Sequence, residues 1–228
     1  APVPEALGPK PSPGVSGILC PHDDYLCAGR IYRQIVPLVQ AKTIILVGVF
    51  HRYRRYGAKN VMVFDPYRAW RSPDGEIVVS ELREELLAKL DLGEAVQDAI
   101  WHDSEHSLEA VAYWLKHQDP RVEILPVILP SAPFARFQSM AGHLGAALAG
   151  SMKQRGWTLG RDVAIVISSD GTHYGADFHY TPYGDGGVGP FREAMAHDRS
   201  LLQGLLAGQV TKDMARGFSE TMVDPEKP

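Results

Sequence analysis

Cysteine is scarce in this chain of 228 residues: Cys20 and Cys27 alone cannot make a disulfide framework, and their spacing fits neither a Cys-x-x-Cys redox pair nor a zinc knuckle. A reducing, cytoplasmic setting is the expectation, since residues 1–16 are rich in Pro and Gly instead of carrying a basic and then apolar leader. Long apolar runs are missing too. The longest stretch without Asp, Glu, Lys or Arg is 137–152, and it holds a His, three Gly and two Ser. A spanning helix needs about 18–20 apolar residues, so no membrane span is expected. Nor is there an excess of positive charge: 23 Lys and Arg against 27 Asp and Glu leave a net −4, with no long run of one sign. Nucleic acid and anionic membranes therefore find no electrostatic footprint. What remains, 45% hydrophobic and 22% charged, suits a soluble globular domain with a sizeable core.

Strand and helix patterns alternate along the chain. Residues 15–20 read as a strand, and 28–40 as a helix with Ile31, Ile35, Leu38 and Val39 on its apolar side. Residues 43–50 (TIILVGVF) and 162–169 (DVAIVISS) are so continuously apolar that each fits a strand buried on both faces. Residues 61–64 and 76–80 are shorter strands that could pair as an excursion, and 122–129 is a strand that Pro126 marks as distorted or at an edge. Helices are expected over 81–90, over 105–117 with Ser104 as N-cap, over 133–155, and after the Gly-rich loop 184–189. The pattern predicts one α/β domain, a mainly parallel central sheet flanked by helices, with a flexible segment at 1–14. The chain opens on Ala1 and closes on Asp224-Pro225-Glu226-Lys227-Pro228, neither a cap nor a strand end, so residues are expected to be missing at both ends.

In an open α/β sheet ligands bind beyond the carboxyl ends of the strands, and those positions here are rich in histidine and carboxylate. They are Pro21-His22-Asp23-Asp24-Tyr25, then His51, then Ser168-Ser169-Asp170-Gly171-Thr172-His173-Tyr174; a fourth cluster is His102-Asp103-Ser104-Glu105-His106-Ser107. Taken singly each His is an ordinary loop residue. Three on separate strand ends can meet around one point, and imidazole with carboxylate but no thiolate set suits iron, or zinc, manganese or copper. His102 and His106 invite comparison with the His-Glu-x-x-His helix of metalloproteases, but Glu105 precedes the second His, and the Ser104 cap leaves His102 outside the helix. On a helical wheel Glu105 lies nearer the apolar stripe and His106 faces away, so Glu105 is the one expected to point inward. Asp170 is a turn former or a carboxylate that orients His173 or a ligand His. The basic, aromatic stretch 51–56 is read as an entrance for an anionic substrate, with Tyr25, Arg52 and Tyr174 as substrate contacts. Cys20, Cys27, His117, His143, His179 and His197 are read as structural.

These four clusters resemble the Memo family, whose prokaryotic members are called AmmeMemoRadiSam system protein B and which is similar in structure to the class III extradiol ring-cleaving dioxygenases of non-haem iron. His22 sits in the family's Pro-His-Ala-Gly-Tyr, and His51 at the first His of its Gly-Pro-Ser-His-His. Glu105, His106, Ser107 and Glu109 match Glu-His-Ser-x-Glu, and Ser168, Ser169, Asp170 and His173 match Ser-Ser-Asp-x-x-His. The resemblance implies metal ligation by His22 and His51, expected on adjacent strand ends, and acid–base work by His173, with Asp170, Glu105 and His106 as the other catalytic candidates. Two departures stand out: Asp23-Asp24 replaces Ala-Gly, and Val49-Phe50 replaces Pro-Ser. The family's third ligand, a late Cys in Cys-Gly-Arg, has no counterpart before Pro228. The chain is therefore expected either to stop short of that ligand or to complete the site with Asp23, Asp24 or Glu105. The function expected is a metal pocket for redox or oxygen-dependent chemistry on a small phenolic or anionic molecule. A non-catalytic site for a peptide or partner protein, favoured by Arg52, Arg54 and Arg55, and a zinc-dependent hydrolase are the alternatives.

Overall fold

The computed structural model describes residues 14–91 and 93–221. Apart from Gly14, the expected flexible N-terminal segment and the expected truncated C-terminus lie outside the described residues. The chain divides at Ser169 into two compact units.

The first unit is built on an eight-stranded sheet. Its strands are β1 (Gly17–Cys20), β2 (Thr43–Val49), β3 (Met62–Phe64), β4 (Ala69–Ser72), β5 (Gly75–Val79), β6 (Ala95–Gln97), β7 (Glu123–Leu129) and β8 (Val163–Ser168). The main order is β1-β8-β2-β7-β3-β6. β1, β8, β2 and β7 run parallel, while β3 runs antiparallel to β7 and parallel to β6. The shorter strands depart from expectation: β3 and β5 do not pair with each other. Instead β4 and β5 form a hairpin, and β5 joins the amino-terminal half of β7, where Val78 and Val79 face Glu123 and Ile124.

That division explains Pro126, which lies in a central strand and not at an edge. β5 pairs with residues 123 and 124 of β7 and β3 with residues 127 and 128, so Pro126 falls where one neighbour gives way to the other. A missing N–H costs no ladder bond on that side.

Helices cover both faces. On one face α1 (Tyr25–Ile35) and α5 (Glu109–Gln118) pack on the even-numbered side chains of the sheet, burying Ala28, Tyr32, Val111, Ala112 and Leu115 against Ile44, Leu46, Ile124, Ile128, Ala164 and Val166. On the other, α3 (Leu82–Leu87) and α6 (Phe134–Arg155) meet Ile45, Leu125, Val127 and Val163 through Leu82, Leu86, Met140, Ala147 and Leu148. Alternate residues of β2 thus enter two cores, which is why its sequence is apolar at consecutive positions. The fully inward residues of α1 are Ala28 and Tyr32; of the expected stripe, Ile35 and Val39 pack against this core and Ile31 is exposed.

Two short helices, α2 (Tyr53–Tyr56) and α4 (Ala99–Asp103), complete the first unit. Ser104 is the C-cap of α4 and not the N-cap of the next helix, which begins at Glu109. Residues 104–108 form a connection laid over the end of β2, and Gly48 makes room for it: a Cβ there would collide with the Leu108 side chain and sit 2.5 Å from Ser107 Oγ. The second unit holds α7 (Val188–Leu201), a π-type turn over Leu202–Leu206 and α8 (Lys212–Thr221). Gly186 and Gly187, at φ 72° and 87°, turn the chain into α7.

Gly48→Ala should destabilise the protein by about 1–3 kcal/mol, the usual cost of overpacking a well-filled core. Urea titration followed by circular dichroism measures it. A variant as stable as the parent would mean that the 104–108 connection does not rest on β2.

Candidate metal centre

Two residues past the end of β1 stands His22, and two past the end of β2 stands His51, at the carboxyl edge of the parallel strands. Their strands are not adjacent as expected, because β8 lies between them. The loops lean across the end of β8, whose last residue is a serine, and bring the two ring centroids to 5.1 Å. His106, from the 104–108 connection, closes the group: its ring stacks on His51 at 4.7 Å and 17° and meets His22 edge-on at 5.7 Å. One nitrogen from each of the three rings lies within 4.8 Å of the others, and among the described residues this is the cluster able to hold a metal ion.

Glu105 organises the cluster. Its side chain is 2% exposed. The carboxylate accepts hydrogen bonds from the His51 backbone N–H (2.6 Å), His51 Nδ1 (2.8 Å), the His106 N–H (2.8 Å) and the Ser107 N–H (2.9 Å). Burial pushes its pKa up, but the His51 ring and the two backbone donors outweigh that and hold the carboxyl below its ordinary value. The carboxylate is therefore ionised and receives Nδ1–H of His51, leaving Nε2 of that ring as the donor for a metal. Exposure is graded: His22 is buried, His51 is intermediate, and the His106 side chain is 67% exposed.

The third member of the cluster is thus an imidazole, and none of the carboxylates expected there. Glu105 is committed to four N–H groups. Asp23 and Asp24 are exposed and outside the cluster, Asp23 Oδ1 accepting from the Asp24 N–H at 2.7 Å. Glu105 is buried and His106 exposed, as the wheel reading had it, although residues 105 and 106 precede the helix; the signal that could have placed His106 in the cluster is the Glu-His-Ser motif itself, in which a backbone-bound Glu fixes the next residue.

His102, by contrast, is buried inside α4 and turned away from the cluster, its Nε2 donating to the Val63 carbonyl (2.9 Å). Tyr25 bridges α1 and α5, its hydroxyl donating to the Ala110 carbonyl (3.1 Å) and its ring meeting Tyr32 and Trp114. Arg52 is exposed, directly before α2. In the second unit, His173 Nε2 lies 3.5 Å from Asp170 Oδ2, ion-pair range though long for a hydrogen bond. The Tyr174 hydroxyl donates to Asp198 Oδ1 (2.7 Å), and burial together with that carboxylate pushes its pKa far up. His143 and His117 pair with Glu94 and Asp74, in keeping with structural roles.

Fold and site together define an α/β protein with a three-histidine cluster at the carboxyl edge of its parallel strands. A family model for Memo-like protein matches residues 3–221, and the chain belongs to that family. A MEMO1 family protein of Thermococcus kodakarensis is 29% identical over 174 residues, 72% of this chain and 55% of that protein. Relatives of the same description from Thermococcus onnurineus and Aquifex aeolicus are each 27% identical, over 72% and 71% of this chain and 54% and 40% of their own lengths. The chain thus spans about half the length of the curated relatives it matches.

His102 generates a pH prediction. Burial, only partly offset by the Val63 hydrogen bond and nearby carboxylates, lowers its pKa below 6.5. The folded state therefore prefers neutral His102, and its contribution to stability is complete above about pH 6.5 and lost as pH falls towards the folded value. His102→Gln should flatten the loss of unfolding free energy below pH 6.5, by up to about 1.4 kcal/mol per pH unit. Denaturant titrations from pH 7.5 to 5 check this, and parallel curves for the two proteins would refute it.

Proposed function

We propose that this chain binds one divalent metal ion, iron foremost, on His22, His51 and His106, and uses it for oxygen-dependent or redox chemistry on a small phenolic or anionic molecule in the cytoplasm. The carrying observation is the convergence of three imidazole nitrogens within 4.8 Å from three separate segments of chain. Imidazole donors without thiolate suit iron, zinc and copper. The family's likeness to extradiol dioxygenases puts iron first.

When bound, the metal supplies Lewis acidity and positions open to small ligands. Glu105 holds the His51 ring by Nδ1–H. The exposed His106 side leaves the centre accessible to a molecule from solvent, and Arg52, next to His51, offers a guanidinium to an anionic one. Tyr25 and Tyr174 remain candidate substrate contacts, their hydroxyls engaged by Ala110 and Asp198. Acid–base work is assigned, on the family resemblance, to His173, whose Nε2 faces Asp170.

A second reading, zinc-dependent hydrolysis, has one observation behind it, because three histidines are also a common catalytic zinc set.

Calorimetric titration of metal-free protein with Zn²⁺, and with Fe²⁺ under argon, should find one site per chain. Affinity should collapse in His22→Ala, His51→Ala and His106→Ala, fall about 10–100-fold in Glu105→Gln, and stay unchanged in Asp23→Ala and Asp24→Ala. Oxygen uptake by the iron-loaded protein with catechols separates the first reading from ester hydrolysis by the zinc form. Undiminished binding in His106→Ala would overturn the three-histidine centre.

A further inference from the structure

We infer that Ser168 is the positioning residue for His22: its hydroxyl fixes the ring in the Nδ1–H tautomer and so presents the Nε2 lone pair to the cluster. Ser168 is fully buried at the carboxyl end of β8. Its Oγ touches two groups, the Ser107 carbonyl oxygen, in a short hydrogen bond, and His22 Nδ1 at 3.3 Å. A hydroxyl has one proton and two lone pairs, and a carbonyl can only accept. The proton must therefore point at Ser107, since otherwise two oxygens would face each other with lone pairs across a short gap. Oγ then shows a lone pair to His22 Nδ1, which has to carry the hydrogen, and in a neutral imidazole the lone pair is then on Nε2.

The serine can impose this because its own acceptor is fixed. Ser107 is fully buried, its N–H donates to Glu105 Oε1 and its hydroxyl to the Val49 carbonyl (2.8 Å), so its carbonyl cannot swing away. His22 and His51 are thus oriented from one segment by unlike means, a neutral hydroxyl for the buried ring and a carboxylate for the more exposed one. A second carboxylate at position 168 would add an uncompensated charge to a fully buried site.

The metal arm of the test rests on the proposed centre; the tautomer arm does not. Metal-free protein labelled with ¹⁵N-histidine, with the His22 signals assigned by their loss in His22→Asn, reports the tautomer in long-range ¹H–¹⁵N spectra. The parent should show a protonated Nδ1 and an unprotonated Nε2. Ser168→Ala should shift His22 towards the Nε2–H form that water favours and weaken Zn²⁺ binding about 10–100-fold, and Ser168→Thr should retain both parental properties. A parental His22 in the Nε2–H form, or the same tautomer in Ser168→Ala, overturns the inference; a shifted tautomer with unchanged affinity overturns the positioning role. Should the tautomers behave as expected while the parent binds no metal, the assignment of Ser168 stands and the proposed metal centre falls.

Discussion

The buried carboxylate of Glu105 is the constraint on which the centre depends. An ionised group at 2% exposure is tolerated only when its lone pairs are met, and here four N–H groups meet them, two from His51 and one each from His106 and Ser107. This ties the loop after β2 to the connection before α5. The backbone of residues 105–107 curls around its own side chain, so it cannot at the same time be the first turn of a helix. Everything nearby follows from that: α5 starts late, His106 is carried over His51, and Ser107 turns its carbonyl towards Ser168.

The three rings are not equivalent, and the differences have chemical consequences. His22 is buried and leans on a hydroxyl, His51 leans on a charged carboxylate, and His106 is held by its backbone and by stacking. The first two rings are held in set directions by side-chain partners, whereas the third stands at the solvent side of the cluster.

How much of this the sequence disclosed depends on the range of the interaction. The doubly buried character of β2 and of the start of β8 was legible because it is written residue by residue, although Ile167 of β8 is exposed; so were His22 and His51, which stand just past strand ends, and the Memo resemblance carried by four short motifs. Lateral strand order was not, since nothing in 43–50 or 162–169 says that the last strand inserts between the first two. Pro126 misled because a proline in a strand ordinarily signals an edge, and only the exchange of β5 for β3 along β7 removes its cost. Ser104 misled because a serine caps either end of a helix, and the choice was settled by a carboxylate one residue later, two of whose four N–H partners belong to His51, 54 residues away.

Insertion of β8 also decides when the centre can exist. Gly17 pairs with Ile165, so the β1–β8 ladder spans almost the whole first unit, and Ser168 reaches His22 only once that ladder is zipped. The longest loop closure in the unit must therefore be complete before His22 is oriented, whereas the Glu105–His51 contact needs only β2 and the segment up to α5. A metal held by all three rings, as proposed, would bind the fully paired sheet and not its partly assembled forms. Its binding free energy would then add to the stability of the native state, by about 2.7 kcal/mol with free metal at a hundred times its dissociation constant.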